Sequence, residues 1–392
     1  MADRTGTSDT QISAGDGPDM AFDPPRPGDE RFMAAAIRLA FRHSGQTGTN
    51  PSVATLLVRD DGAGPRIVGR GITALGGRPH AEAAALGEAG DLARGATAYV
   101  TLEPCAHHGR TPPCATALVS AGIARVVSAA ADPDPRVDGK GHRILLSGGL
   151  SVTRGVLRAD ASSDLSPYLT RHALGRPQIT LKTAISADGR IGREGSGQVF
   201  ITGKIANGQT HLVRSRHDAI LVGIGTVKED DPGLDCRLPG LSDRSPRRIV
   251  IDPDLTIDPD MQLVRTARRT PLILVAKGSA EPDKRRALIE AGVEFVACDT
   301  VPGSNRVALP ELLEDLGAMG LQNILVEGGA AVAASFIEAD LVDRLILVRG
   351  EIEIGEGGIA APIALDEAKR RFRQTDRLSL GTDLWFEFER RA

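Results

Sequence analysis

From residue 29 onward, apolar side chains recur in two alternating rhythms. Phe32, Met33, Ala36, Ile37, Ala40 and Phe41 fall three or four apart, the spacing of a single helix face. Asp29 stands ahead of them as the expected N-cap. Apolar runs at 53–58, 98–102 and 124–131 read as buried strands, with helical stretches after Pro79 and from Cys114 between them. Strands alternating with helices imply a sheet covered by helices, an α/β sandwich. An amphipathic stretch at 156–174 closes this half, and Gly175-Arg176-Pro177 makes a junction. A second α/β set starts at Gln178. Its strands are expected at 179–185, 219–224, 248–251, 272–275, 293–297, 323–326, 344–348 and 384–389, with helices at 284–291, 310–319 and 331–337. No internal repeat relates the halves. Residues 1–28 carry Asp, Gly, Ser, Thr and Pro with few bulky apolar groups, too little to offset ordering entropy, so a disordered tail is expected there. The reading is thus a tail at 1–28, one domain at 29–175 and another at 176–392.

Composition narrows the function classes. At 392 residues the chain exceeds one ordinary domain. A polynucleotide-binding enzyme would show a basic channel with aromatic stacking platforms, whereas this chain has a net charge of −4 and only 3% aromatics. No apolar run is long enough to span a bilayer, and the N-terminus lacks a secretory hydrophobic core. Four cysteines in so long a chain point to a reducing compartment, the cytoplasm.

The chemistry concentrates at His80-Ala81-Glu82, Pro104-Cys105 and Cys114. One imidazole and two thiols suit tetrahedral zinc with the fourth position left to solvent, the catalytic pattern. Glu82 is then free to carry protons. His-x-Glu with Pro-Cys is the signature of zinc-dependent nucleobase deaminases, whose usual pattern closes with Cys-x-x-Cys. Here eight residues separate Cys105 from Cys114, so a loop must bring the sulfurs together. Cys105 lies just past a strand and Cys114 in the first turn of a helix, where the helix dipole favours a thiolate. Residues at i and i+2 do not share a helix face, so His80 and Glu82 can cooperate only at a helix start. His107 and His108 are spare ligand candidates; Cys236 and Cys298 read as small buried hydrophobes.

The segments Thr49-Asn50-Pro51-Ser52-Val53, Gly77-Arg78-Pro79-His80-Ala81-Glu82 and Thr101-Leu102-Glu103-Pro104-Cys105 through Pro112-Pro113-Cys114 resemble the deaminase half of the bifunctional riboflavin-biosynthesis deaminase/reductase family. That family carries the long insert between its cysteines. The resemblance runs from about residue 29 to the C-terminus. It implies an N-terminal cytidine-deaminase-like α/β/α sandwich in which His80, Cys105 and Cys114 hold Zn2+, Glu82 shuttles protons and Asn50 helps hold the pyrimidine. It also tips Asp132-Pro133-Asp134-Pro135-Arg136, otherwise a Pro-rich turn, toward the substrate mouth. Ala54 departs from the family's usual Gly, a packing change.

In the second half, Gly223-Ile224-Gly225 lacks the third glycine of a dinucleotide fingerprint, because Lys228 stands there; a standard Rossmann site is not expected. Glu327-Gly328-Gly329 leads from a strand into a helix start that can donate N–H groups to a phosphate. Lys182 to Gly189, Gly225-Thr226 with Asp230-Asp231-Pro232, and Glu327-Gly328-Gly329 are similar to the family's reductase, whose α/β domain is like dihydrofolate reductase and uses NADPH. The resemblance implies NADPH contacts from Ala184, Ser186, Phe200, Thr226, Asp230, Gly329, Ala330, Ala331, Val332, Ala333, Ala334 and Ser335. It implies substrate contacts from Arg214, Leu234, Arg237 and Glu327, the two arginines suiting a terminal phosphate. Lys182, expected near Asp230, is placed to assist proton delivery. Phe200 replaces a Trp common in relatives, and 348–358 lacks the usual Pro-x-Leu-Leu-Gly wording.

The expected activity is hydrolytic deamination of a diaminopyrimidine ribotide followed by reduction of its ribosyl chain. The expected partner is that small molecule, with no nucleic acid and no membrane, and a homo-oligomer is expected. Two alternatives remain: a single-function zinc deaminase with an inactive accessory domain, and a non-catalytic zinc-stabilised binding protein, which would have no need of Glu82.

Overall fold

Short apolar runs become strands and the amphipathic stretches become helices in two separate units of the computed structural model, which describes residues 21–109, 112–195, 197 and 199–391. By contacts, the described residues up to His43 together with Pro51–Leu165 form the first unit, and Ser44–Asn50 with the described residues from Ser166 onward form the second. Most of the expected tail, residues 1–20, lies outside the described residues. Residues 22–26 are placed against the first unit rather than trailing away. The Asp23 N–H donates to the Val152 carbonyl at 2.8 Å, and the Phe22 ring meets His142 edge-on at 5.7 Å.

The first unit runs α1 (Asp29–Ala40), β1 (Ala54–Arg59), β2 (Arg66–Ile72), α2 (Ala81–Ala89), β3 (Thr97–Leu102), α3 (Cys114–Ser120), β4 (Arg125–Ala130), α4 (Lys140–Ser147), β5 (Ser151–Arg154) and α5 (Arg158–Asp164). Its sheet has the order β2-β1-β3-β4-β5, antiparallel at β2-β1-β3 and parallel from β3 to β5. β4 is buried at every position, as expected of a parallel strand covered on both faces. The α1 stripe is buried except for Phe41, which lies past the helix in a short 3-10 turn. Gly28, not Asp29, occupies the N-cap. Asp29 is the first helical residue, and its buried carboxylate receives Arg125 through both oxygens, at 2.9 and 2.7 Å, and the Tyr99 hydroxyl at 2.9 Å. A charge buried that deeply is retained because it is paired.

The second unit begins with α6 (Ser166–Leu174), β6 (Gln178–Ile185), β7 (Arg190–Arg193), α7 (Lys204–Arg214), β8 (Ala219–Gly223), α8 (Ile224–Asp230), β9 (Arg247–Ile251), α9 (Gln262–Arg265), β10 (Leu272–Ala276) and α10 (Pro282–Glu290). It continues with β11 (Glu294–Ala297), α11 (Leu309–Ala318), β12 (Asn323–Val326), α12 (Ala330–Glu338), β13 (Arg344–Arg349), β14 (Gly358–Ala360), α13 (Leu365–Arg371), β15 (Phe372–Leu380) and β16 (Asp383–Arg390). Nine strands make one sheet in the order β11-β10-β9-β8-β12-β6-β13-β16-β15. It is parallel as far as β13 and ends in an antiparallel pair. Alternate residues feed opposite faces: Ala219 and Leu221 join the core under α11 and α12, while Ile220 and Val222 join the core under α7 to α10. Among the described residues no helix is long and apolar enough to cross a membrane.

Two glycines in β2 position the chemistry of the first unit. A Cβ on Gly71 would lie 2.0 Å from the Ala81 carbonyl oxygen, and one on Gly69 would lie 2.4 Å from that of Ala85. α2, which carries Glu82, therefore rests directly on bare strand backbone. Gly71→Ala is expected to push α2 outward at a cost of about 1–3 kcal/mol. A lowered first transition in thermal unfolding, with reduced zinc uptake, is the expected result.

Candidate active sites

His80 is the N-cap of α2 in an extended conformation, and Glu82 is the second helical residue. The i, i+2 restriction of a helix therefore does not separate them. Cys105 follows the end of β3, and Cys114 opens α3. The loop between the cysteines closes on itself: the Cys114 N–H donates to Cys105 Sγ at 3.3 Å, and the Ala115 N–H to the Cys105 carbonyl at 3.2 Å. His80 Nδ1 lies 3.7 Å from Cys105 Sγ and 3.4 Å from Cys114 Sγ.

Those separations fit zinc. Bonds of about 2.0–2.3 Å in a tetrahedral shell put ligand atoms roughly 3.4–3.8 Å apart. Ligand atoms of His80, Cys105 and Cys114 all lie within 4.8 Å of one another, and no fourth side chain joins them among the described residues. His107 and His108 are not part of this cluster. Three ligands with an open position are the catalytic arrangement.

The charges respond accordingly. The Cys105 thiol is lowered to about 4, chiefly by its hydrogen bond from Cys114, against the opposing effect of burial. Cys114 is raised by that same sharing, then by burial and the Glu82 charge. Two sulfurs sharing one proton can both become thiolates only beside a cation, which is what a zinc ion supplies. Glu82 is pushed up to about 7, first by burial and then by the Cys105 thiolate. A carboxyl poised there holds and releases a proton near neutral pH.

Sequence reading passed over Glu103. This buried residue accepts the Gly139 N–H at 3.1 Å and the His142 N–H at 3.2 Å, so it caps the start of α4 from the turn that carries Cys105. Gly141 permits that approach, since a Cβ there would meet the Pro104 carbonyl at 2.0 Å. The signal in the sequence was a glutamate directly after an apolar strand. In Asp132 to Arg136, the Asp132 and Asp134 carboxylates cap their own turn, accepting the N–H groups of Asp134 and Arg136. Asn50 belongs to the Ser44–Asn50 segment grouped with the second unit. Its carbonyl accepts the Thr47 hydroxyl at 2.7 Å and the Gln322 amide at 3.3 Å.

In the second unit, a cavity of about 510 Å³ opens at the ends of β6, β8 and β12, within the range of small-ligand sites. Ala184, Phe200, Thr226, Asp230, Glu327, Gly329 and Ala330 line it, as do Lys182, Arg193, Asn207 and Glu229. Thr226 Oγ1 accepts the Gly329 N–H at 3.1 Å, which ties α8 to the start of α12. Phe200 is 72% exposed, a flat ring open to a ligand. Ser186 does not line the cavity; its hydroxyl is used within its own turn by Asp188 and the Arg190 N–H. Ala331, Val332 and Ser335 line a separate, smaller cavity. Ala333 points into the core, as helical periodicity requires of one residue in such a run, and Ala334 lines neither cavity.

Arg214 grips Glu327 through Nε and Nη2 at 2.7 and 2.9 Å, and its Nη1 donates to the Asp235 carbonyl. Burial alone would raise the Glu327 carboxyl, yet the Arg214 guanidinium holds it down at about 2. Lys182 is lowered by burial, and the carboxylate opposing that shift is Glu327 rather than the expected Asp230. Asp230 is raised by burial and by Glu229. Leu234 is buried in the core with φ of 52°, and Arg237 is exposed beside Asp235. Cys236 is buried and Cys298 half-buried.

Two sequence families match the chain. The cytidine and deoxycytidylate deaminase zinc-binding region matches residues 27–130, and the RibD C-terminal domain matches 177–386. The riboflavin biosynthesis protein RibD of Bacillus amyloliquefaciens is 39% identical over 85% of this chain and 87% of its own length. That of Aquifex aeolicus is 35% identical over 92% and 98%. RibD of Acinetobacter baumannii superposes with a TM-score of 0.82 at 31% identity, covering 93% of this chain and 99% of that one. The Thermotoga maritima diaminohydroxyphosphoribosylaminopyrimidine deaminase/5-amino-6-(5-phosphoribosylamino)uracil reductase superposes at 0.80 with 28% identity over the same shares.

Breaking the buried Arg214–Glu327 pair strands a charge. Arg214→Ala is expected to destabilise the second unit by about 3–5 kcal/mol, read by denaturant unfolding. Because the Glu327 carboxyl is depressed in the fold, the pair's contribution is complete above its ordinary range near 4.5. It fades as pH falls toward 2, so the variant's deficit should shrink with acidification.

Proposed function

The chain belongs to the bifunctional riboflavin-biosynthesis deaminase/reductase family, and from that premise we propose that it carries out both family reactions. The first unit hydrolytically deaminates 2,5-diamino-6-ribosylamino-4(3H)-pyrimidinone 5′-phosphate. The second reduces the ribosyl chain of the product with NADPH to give 5-amino-6-(5-phosphoribitylamino)uracil. The observation that carries the first half is a three-ligand cluster with a buried, proton-exchanging Glu82 beside it.

His80 Nδ1, Cys105 Sγ and Cys114 Sγ hold the zinc. A zinc ion held by these three residues would supply Lewis-acid activation of a water near neutral pH. Glu82 takes up the proton of the attacking water and passes it to the departing amine, which its carboxyl range near 7 supports. Burial of Glu82 keeps that proton from bulk solvent.

In the second unit Thr226, Asp230, Gly329 and Ala330 receive NADPH, with Ala184 and Phe200 walling the same cavity. NADPH supplies the hydride. Glu327 orients the substrate while Arg214 keeps it ionised. Lys182, whose ammonium is weakened by burial, delivers the proton that accompanies reduction. The reading of an inactive accessory domain loses support, since the cavity and its polar groups are intact. The cysteines, two of them the proposed zinc ligands and none paired in a disulfide among the described residues, fit a reducing cytoplasm as the site of action, where the protein is proposed to act on small molecules as a homo-oligomer.

Cys105→Ser and Cys114→Ser are each expected to lose zinc and ammonia release together; full turnover with stoichiometric zinc would remove them as ligands. Glu82→Gln should keep its zinc, by metal analysis, and lose deamination by about 100-fold or more. Asp230→Asn should slow NADPH oxidation while ammonia release continues; normal NADPH turnover would strike Asp230 from the site.

A further inference from the structure

Two arginines suit the terminal phosphate of the reductase substrate, and the structure separates them. Arg214 is enclosed, with its side chain 13% exposed. Its Nε and Nη2 hold Glu327 at 2.7 and 2.9 Å, and its Nη1 donates to the Asp235 carbonyl at 3.2 Å. All three nitrogens are thus committed within the fold. The Arg237 side chain is 68% exposed, and the Asp235 carboxylate stands 3.6 Å from its Nε. A guanidinium so placed can turn to a phosphate through two parallel hydrogen bonds.

An exposed arginine on an irregular stretch must still be aimed. Residues 234–237 lie between α8 and β9, outside any helix or strand. Leu234 and Cys236 are buried, and the Cys236 N–H donates to Ser245 Oγ at 3.1 Å. His211 of α7 holds the other side of this stretch. Its Nδ1 lies 3.1 Å from the Asp235 carbonyl and 3.4 Å from the Arg237 N–H, so one ring nitrogen spans Cys236. His211 precedes Arg214 by three residues on α7, which puts the two on one helix face and brings both to the same Asp235 carbonyl. Burial, then Arg214 and Arg237, lower the titration range of His211. The neutral ring therefore acts by geometry rather than by charge.

We propose that His211 is a positioning residue of the reductase: it fixes the backbone on either side of Cys236 so that Arg237 receives the terminal phosphate of the ribotide. This rests on the reductase reading above. Arg214 then serves Glu327 and the Asp235 carbonyl, not the phosphate.

The test follows NADPH oxidation by the full chain with 5-amino-6-(5-phosphoribosylamino)uracil and with the same compound lacking its phosphate. Wild type, His211→Ala, His211→Asn, Arg237→Ala and the double variant His211→Ala/Arg237→Ala are compared. Arg237→Ala should cut the preference for the phosphorylated substrate by about ten- to hundred-fold, the worth of a charged hydrogen bond, through KM rather than kcat. His211→Ala should cost about tenfold of that preference by itself and add nothing in the double variant. His211→Asn, which keeps an N–H donor near the Nδ1 position, should recover part of it. Should His211→Ala fail to fold, His211→Asn alone and with Arg237→Ala decides the same question. A loss that falls equally on both substrates, a loss that adds to that of Arg237→Ala, or an unchanged preference overturns the role of His211. A wild type indifferent to the phosphate overturns the role of Arg237 as well. One that oxidises NADPH with neither compound overturns the reductase reading itself.

Discussion

Backbone N–H groups left unpaired at helix starts are the constraint around which both units place their chemistry. The first residues of a helix have no intrahelical acceptor, so they must find one nearby. Cys114 opens α3 and gives its N–H to the Cys105 sulfur, which draws the second ligand against the first. Gly329 caps α12 and gives its N–H to Thr226, joining two helices along the edge of a cavity. Glu103 accepts from the start of α4 and so braces the turn that precedes Cys105. His80 stands at the cap of α2. A helix start that meets a strand end is rigid, and it exposes polar groups where the sheet leaves room.

Local charge then sets what each carboxyl can do. Glu82 and Glu327 are both deeply buried, and burial by itself raises either one. Beside a thiolate, Glu82 stays near neutrality and can exchange a proton. Beside a guanidinium held at 2.7 Å, Glu327 remains an anion far below neutral pH. One residue type thus titrates near neutral pH in one unit and stays a fixed charge in the other, as expected where environment separates titration ranges. Asp29 shows a third outcome, in which the buried carboxylate is spent on Arg125 and Tyr99 to hold a helix to its sheet.

Strongly apolar elements were legible in the chain. The strand at 323–326 is found where its run of Asn-Ile-Leu-Val indicates, and β3 and β4 lie within a residue or so of their apolar runs. Elements stabilised by partners rather than by their own pattern were not. β15 exposes most of its side chains along Phe372–Leu380, and its pairing with β16 alone defines it. β2 alternates Arg and Gly, and β14, which pairs with β7, is only three residues long. α7 buries Ala206, Thr210 and Val213, too sparse a stripe to stand out. Asp29 was expected at a cap because such residues favour caps, and a long-range arginine took it instead.

The sequence by itself determined which residue types could bind a metal, the order of His80, Glu82, Cys105 and Cys114, and the two α/β sets, because residue chemistry and apolar period are local properties. Tertiary structure alone decided that three ligand atoms from two helix starts and a strand end meet within 4.8 Å. It also decided that Lys182 answers to Glu327 instead of Asp230 and that Ala333 faces the core while Ser335 faces a cavity. Those outcomes depend on which backbones approach one another, through glycines such as Gly71 and Gly141, and approach across many residues is not encoded at any single position.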